Sequence, residues 1–228
     1  MSLSHLYGRT YAVRKSTLML AFAASAALVV ASAGTSLASA SSHNGNSGSA
    51  HAAKASNYHP GKTTASKKFK TYAQPTGKYL KSCDIDLSSI ADFTLLSSVS
   101  GCKTTVTFSS QMDKRSVPGS WGTWGSPPDT ETDTPNLLYS NGATSIVVDY
   151  GKKVKTGGFE IEPNPFEVHS FTVEFHKGAN GGGAVVGTIT RDADGNFGAK
   201  LFGATAKKGF KSAVVTSDTD FAIAQIRV

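Results

Sequence analysis

Cysteine and tryptophan are scarce in this sequence, which has two of each in 228 residues. Cys83 and Cys102 form no C-x-x-C pair, and two thiolates alone make a poor zinc site. The sequence also lacks the G-x-S-x-G turn of a nucleophilic serine and the Lys-Ser/Thr pair of a phosphate-binding loop. These absences argue against a zinc module, a serine hydrolase and a P-loop nucleotide-binding protein.

Long apolar runs are missing except near the N-terminus, where Leu18–Ala33 is apolar or small throughout. Basic residues and no acidic residue precede this run, and Ala38–Ala40 provides an A-x-A cleavage site. The run is shorter than the about 20 residues that cross a membrane. We therefore expect residues 1–40 to be a secretory signal peptide. The mature protein is expected to be secreted and extracellular, with no membrane span after cleavage.

Basic residues outnumber acidic residues by 23 to 16, which gives a formal net charge of +7. Residues 1–40 hold three basic and no acidic residues, so their removal leaves +4. Residues 41–75 are rich in Ser, Ala, Gly, Asn, His and Lys and are predicted to be a disordered linker. The folded part is then nearly neutral. Because it has no basic helix and no row of aromatic residues interspersed with arginines, we expect no nucleic-acid partner.

Residues 76–228 are predicted to form one domain of short strands. β-rich runs alternate with turn clusters at a spacing of roughly ten residues, and no segment after residue 40 shows a 3.6-residue apolar period. Phe171, Val173 and Phe175 alternate with polar residues, as in an antiparallel sheet with one packed and one solvated face. The expected fold is an all-β, antiparallel β-sandwich of jelly-roll type, with a hairpin turn at Asp194-Gly195.

The even number of cysteines in an exported chain favours a disulfide bond between Cys83 and Cys102. Such a bond closes a loop of about 20 residues, which stabilises the fold by about 3 kcal/mol in the chain-entropy description.

Both tryptophans lie in Gln111–Pro135, a segment rich in glycine and proline that is too long to be structureless in a compact domain. Aromatic rings in a loop on a rigid scaffold are typical of sugar-binding sites, where the ring stacks on the apolar face of the sugar. The predicted ligand-binding residues are Trp121, Trp124, Asp129, Tyr139 and Asn141. The alternative is that one or both tryptophans close the end of the sandwich as part of its core.

Glu160 and Glu162 lie two residues apart on one face of a predicted strand, as the acid and nucleophile of a glycosidase would. Asn164 stands at the next step of this face, and the sequence offers no second convergent acid. Asp192 and Asp194 resemble the start of a calcium loop, but the later positions of that motif do not match. We expect no cofactor, with a Ca²⁺ site that uses Glu162, Asp192 or Asp194 as the alternative.

Several motifs between Trp121 and Val228 together resemble one bacterial family. They are W-G-T-W-G-S-P-P, P-N-L-L-Y-S-N-G-A-T-S, G-F-E-I-E-P-N-P-F, F-T-V-E-F, V-G-T-I-T-R, A-K-L-F-G-A-T and F-A-I-A-Q-I-R-V. The family comprises exported β-sandwich domains of unknown activity, often with C-terminal PEP-CTERM sorting tags. This chain stops after F-A-I-A-Q-I-R-V, so we expect release rather than sorting to the envelope. The resemblance implies the fold and export, and no catalytic residue.

Three functions are compatible with these patterns. The first is a non-catalytic, secreted binding module whose ligand is an extracellular glycan or another cell-surface component. The second is an extracellular structural or adhesive protein. The third is a glycosidase-like enzyme that uses Glu160 and Glu162. The exposure of the two tryptophans and the placement of the two glutamates distinguish the three.

Overall fold

A computed structural model describes residues 68–228, so the predicted signal peptide and most of the predicted linker lie outside the described residues. This part contains nine strands and no helix, and therefore no helix that could span a membrane. The strands are β1 (Phe69–Tyr72), β2 (Leu95–Gly101), β3 (Thr104–Ser116), β4 (Asn136–Tyr139), β5 (Ser145–Pro163), β6 (Val168–His176), β7 (Val185–Asp194), β8 (Lys200–Thr216) and β9 (Phe221–Arg227).

All strand pairs are antiparallel, which confirms the predicted all-β, antiparallel class. The strand order is β2-β3-β4-β9-β5-β8-β6-β7, and β1 pairs with β8. β3 also pairs with β5 near its middle, so β3, β4, β9 and β5 form a closed ring of pairings. Strands that are widely separated in sequence are thereby brought to the centre of the sheet, where β9 lies between β4 and β5.

The alternation seen in the sequence is the alternation of the structure. Phe171, Val173 and Phe175 of β6 are all fully buried, while Thr172 and Glu174 are half-exposed. The buried side chains join one main core, in which Phe175 packs edge-on against Phe210 with ring centroids 4.8 Å apart. Successive side chains of a strand point to opposite faces, and the apolar set covers one face. Burial of each large side chain stabilises the fold by about 1.5–3 kcal/mol.

β5 and β8 are longer than the short runs that the sequence suggests. Each joins two apolar runs across a polar, lysine-containing stretch, and the register shifts between Asp149 and Thr156 of β5 where the two strands pair. Gly151 and Gly209 lie in these stretches with φ of +66° and +70°. Glycine adopts such a φ without strain, so the strands bulge and continue instead of ending.

The linker predicted for residues 41–75 extends too far toward the C-terminus. β1 lies inside that range and pairs with β8, Phe69 opposite Ala206. Phe69 is 3% exposed and its ring lies 5.7 Å from that of Phe175. A single large apolar residue in a polar stretch is enough to anchor a short edge strand, although composition alone does not reveal it.

The turn predicted at Asp194-Gly195 is present between β7 and β8. Asp194 and Gly198 exchange two backbone hydrogen bonds, and the Asp194 carboxylate accepts the backbone N–H of Asn196 at 2.9 Å. The two strands do not continue as a hairpin, because β7 pairs with β6 and β8 pairs with β5, β6 and β1.

The predicted disulfide bond joins Cys83 to Cys102, with the Cα atoms 5.8 Å apart. Cys102 lies in the turn between β2 and β3, and Cys83 lies beside the C-terminal residue Val228, with which it exchanges two backbone hydrogen bonds. The bond therefore ties the segment after β1 to the hairpin formed by β2 and β3.

Replacement of both cysteines, C83S/C102S, is expected to lower the free energy of unfolding by about 3 kcal/mol, because the unfolded chain regains the entropy of a 19-residue separation. Urea denaturation measures the difference. Reduced wild-type protein is the control and should match the variant. Equal midpoints for the oxidised wild type and the variant would contradict this expectation.

Candidate functional site

The segment between β3 and β4, residues 117–135, covers the outer face of the central strands; we call it the covering loop. On that face Glu160 of β5 is paired with Ala224 of β9, and Glu162 is paired with Ala222. The neighbouring residues of β9, Phe221 and Ile223, point into the main core on the opposite face. Both faces of β9 are therefore buried, one under the main core and one under the covering loop.

Trp124 is the centre of a second, smaller core beneath the covering loop. Its ring is 1% exposed and belongs to a cluster with Leu137, Ala199, Ala222 and Ala224. The three alanines leave the room that an indole ring needs, since their side chains end at Cβ. The alternative reading of the tryptophans, that of a core residue, therefore describes the position of Trp124.

Glu160 is the hydrogen-bond partner of Trp124. The indole N–H donates to Oε2 of Glu160 at 2.9 Å, and the backbone N–H of Glu131 donates to Oε1 at 2.7 Å. The side chain is fully buried, and burial raises the pKa of Glu160 to about 8 in spite of these two hydrogen bonds. A buried carboxyl group without such donors would cost several kcal/mol.

Glu162 makes the equivalent contact with the other tryptophan. Nε1 of Trp121 donates to Oε2 of Glu162 at 2.7 Å, and the Thr123 hydroxyl lies 3.4 Å from the same oxygen. Oε1 of Glu162 is buried and has no hydrogen-bond partner. Burial raises the pKa of Glu162 to about 7, to which the charge of Asp194 adds. The polar face predicted for this strand is thus buried, because the covering loop lies on it.

Two further anchors fix the covering loop at its ends. At the start, the carboxylate of Asp92 accepts hydrogen bonds from the hydroxyls of Ser116 and Ser120, both at 2.6 Å, and from Lys114 at 2.6 Å. These donors hold the pKa of Asp92 at about 2. Toward the end, Glu131 forms a nearly buried ion pair with Arg227 of β9. The loop is therefore held along its length.

Trp121 and Tyr139 line a surface pocket of about 310 Å³ beside the covering loop; we call it the aromatic pocket. The two rings are half-buried, with centroids 5.4 Å apart and planes inclined at 46°. Phe166, which is 69% exposed, forms another wall. The Phe166 ring packs beside Gly122 of the covering loop, at a distance where a Cβ atom would make an ordinary van der Waals contact of 3.7 Å.

Polar groups surround the aromatic pocket. The Tyr139 hydroxyl donates to Asp220 at 2.5 Å, and the Asn164 side chain donates to the same oxygen at 3.2 Å. Burial and Asp220 raise the pKa of Tyr139 to about 12, so this hydroxyl is a neutral donor at physiological pH. Arg115 contributes a guanidinium group that is paired with the carboxylate of Asp113 and lies 4.2 Å from the centre of the exposed Phe93 ring. The pocket thus combines three aromatic walls with a cation and an amide.

A second pocket of about 290 Å³ adjoins the aromatic pocket, and Gly122 and Thr123 line both. Its walls are more apolar and include Val117, Trp124 and the 69% exposed ring of Phe197. Trp124 presents almost no exposed area there, so Phe197 is the main aromatic surface of this pocket.

The predicted ligand-binding residues are divided by the structure. Trp121 and Tyr139 share the aromatic pocket, whereas Trp124 lies beneath the loop. Asp129 forms an ion pair with Lys200, and Lys200 and Gln74 lower the pKa of its carboxyl. Asn141 is an exposed turn residue with φ of +53°. Neither Asp129 nor Asn141 lines the aromatic pocket.

Sequence reasoning missed three residues of this pocket: Arg115, Asn164 and Phe166. Arg115 lies near the end of β3, and the other two follow β5 in Pro163-Asn164-Pro165-Phe166. An aromatic residue that directly follows a Pro-Asn-Pro sequence at the end of a strand is held near the surface, and that pattern was the signal available in the sequence. Only pairing of distant strands places it opposite Trp121.

The weak metal candidates are not gathered into a ligand set. Within residues 68–228, no three His, Cys, Asp or Glu side chains lie grouped as ligands of a metal ion. Asp192 is exposed, and Asp194 accepts a backbone N–H within its own turn.

The chain matches no protein-family model, no curated protein and no solved structure. The site therefore has to be interpreted from its own geometry.

The two buried glutamates are expected to make the protein less stable as pH rises from about 5 to about 8. In the unfolded chain they ionise near their ordinary pKa of 4.5, whereas the folded state holds the proton up to about pH 7 for Glu162 and about pH 8 for Glu160. Unfolding in this interval releases protons, so higher pH favours it. Urea denaturation at several pH values measures the slope.

The double variant E160Q/E162Q should flatten this slope, since it removes both titrations and keeps an oxygen acceptor at each position. E167Q, at an exposed glutamate, is the matched control and should keep the wild-type slope. An unchanged slope in the double variant would show that other groups cause the pH dependence.

Proposed function

We propose that this protein is a secreted, non-catalytic binding module that holds a carbohydrate in the aromatic pocket. The observation that carries the proposal is the convergence of Trp121, Tyr139 and Phe166 on one surface pocket. A sugar ring has an apolar C–H face and a polar rim of hydroxyls. Aromatic walls suit the face, and the side chains of Arg115 and Asn164 suit the rim.

Rigidity of the pocket supports this proposal. Trp121 is fixed by its hydrogen bond to Glu162, and Tyr139 by its hydrogen bond to Asp220. A binding surface that is already in place loses little conformational entropy when a ligand arrives. The ring of Phe166, which makes no hydrogen bond, is the wall with the most freedom to adjust.

The finer features of the fold and destination belong to the same proposal. We propose that the fold is a jelly-roll-like β-sandwich with the covering loop and the β5–β6 connection at one end. We also propose that residues 1–40 are a signal peptide that directs export of the chain. The disulfide bond supports an oxidising destination. We also propose, from the motifs between Trp121 and Val228, that the chain belongs to the exported bacterial family that these motifs resemble.

The glycosidase-like alternative has less support. Glu160 and Glu162 are fully buried, each accepts an indole N–H, and neither lines a described pocket. A catalytic pair must reach both sides of a glycosidic bond. In the geometry described here, the two carboxylates hold the covering loop instead.

Phe166→Ala and Asn164→Ala are expected to weaken glycan binding by about tenfold each, which corresponds to about 1.4 kcal/mol. Both side chains are exposed and lie outside the cores, so the fold is expected to persist. A glycan array with the purified full chain identifies the ligand, and calorimetry with that glycan measures the affinities.

Phe197→Ala is the matched control, since Phe197 is as exposed as Phe166 but lines the second pocket. Its affinity should stay at the wild-type level. Loss of binding in Phe197→Ala with full binding in Phe166→Ala would contradict the proposal and assign the ligand to the second pocket. Absence of any glycan ligand on the array would also contradict it.

A further inference from the structure

Six lysines lie together where β5 and β8 bulge; we call this set the lysine surface. It consists of Lys152, Lys153, Lys155, Lys207, Lys208 and Lys211. Val154 and Phe210 are paired across the two strands and both point into the main core. Side chains that flank an inward pair on a strand point outward. Five of the six lysines are accordingly exposed, and Lys152 is half-buried.

The bulges concentrate these charges. The register passes from Asp149 opposite Ser212 to Val154 opposite Phe210, and then to Thr156 opposite Thr205. The first step inserts extra residues in β5, and the second inserts extra residues in β8. A Cβ atom at Gly209 would lie 2.8 Å from Cγ of Lys153, so the lysine stem runs directly along the bulge of the partner strand.

The positive charge of the lysine surface is not matched by neighbouring carboxylates. None of the ion pairs found among residues 68–228 includes one of the six lysines. The acidic residue of these stretches, Asp149, is nearly buried, and its two oxygens accept the backbone N–H groups of Gly151 and Asn180. Lys152 donates to the carbonyl of Cys102. Like charges packed on adjacent strands destabilise a sheet unless a ligand neutralises them.

We propose that the lysine surface binds a linear anionic polysaccharide, one whose carboxylate or sulfate groups repeat along the chain. The charges are all ammonium groups on flexible stems, which suit a row of separate anionic groups better than a single bidentate contact. Lys153 and Lys155 are two residues apart, which places their Cα atoms about 7 Å from each other on an extended strand.

The surface fits this ligand better than insertion into a lipid bilayer or stacking on a single-stranded nucleic acid. Its apolar members, Val154 and Phe210, are buried, so no side chain there is available to enter the acyl region of a membrane or to stack on a base. The site is also separate from the aromatic pocket. Lys153 and Pro163 are ten residues apart on β5, about 33 Å along an extended strand.

The test compares K153Q/K208Q with the control K78Q/K81Q, which removes the same charge from exposed lysines in the segment after β1. The probes are heparin and polygalacturonate, with neutral dextran as the blank. The wild type and the control should bind both polyanions, and the surface variant should elute from heparin at a clearly lower salt concentration. Its salt dependence should also decrease, because fewer counterions are displaced.

Equal elution of the two double variants would overturn the proposal, as would failure of the wild type to bind either polyanion. Vesicles containing phosphatidylglycerol and duplex DNA are tested in parallel. Binding to one of these that depends on the lysine surface, without binding to either polysaccharide, would also overturn it. Phe166→Ala should bind both polyanions like the wild type, so failure of the aromatic pocket proposal leaves this result unaffected.

Discussion

The hydrogen bonds from two indole N–H groups to two buried carboxyl groups are the constraint around which this part of the molecule is built. Glu160 and Glu162 would be costly beneath a loop without donors. Trp124 and Trp121 supply those donors from the covering loop itself. The covering loop has few backbone ladder hydrogen bonds of its own. The hydrogen bonds between its indoles and the two glutamates therefore stabilise the loop and also satisfy the buried carboxyl groups.

The composition of β9 follows from this constraint. A strand with one solvated face normally alternates apolar and polar residues, but β9 alternates large and small ones, Phe221-Ala222-Ile223-Ala224. The large residues fill the main core, and the alanines leave room for Trp124. The indole of Trp124 is buried in this packing. The nearby Trp121 is only half-buried and lines the aromatic pocket.

The sequence was sufficient for the all-β class, the main-core residues of β6 and the disulfide bond, because each depends on local alternation or on a simple count. It was not sufficient to predict that the strand face with Glu160 and Glu162 is buried. Period-2 alternation shows which residues share a face, but not what covers that face. The covering loop comes from the β3–β4 connection, and its position depends on β9 returning between β4 and β5. The same long-range pairing explains why Phe166 and Arg115 were missed.

Net charge conceals the other feature that sequence reasoning passed over. Residues 68–228 hold all 16 acidic residues of the chain and 17 of its 23 basic residues, so this part is nearly neutral. A near-zero sum says nothing about distribution, and the pairing of β5 with β8 gathers Lys153, Lys155 and Lys211 on one surface. Several carboxylates instead bind groups within the domain: Asp92 accepts a hydroxyl hydrogen bond, Asp149 accepts a backbone N–H, and Glu131 pairs with Arg227. Because these carboxylates are engaged within the domain while the lysines remain in solvent, one surface is positively charged although the domain as a whole is nearly neutral. That polarity is a property of the register and not of the composition.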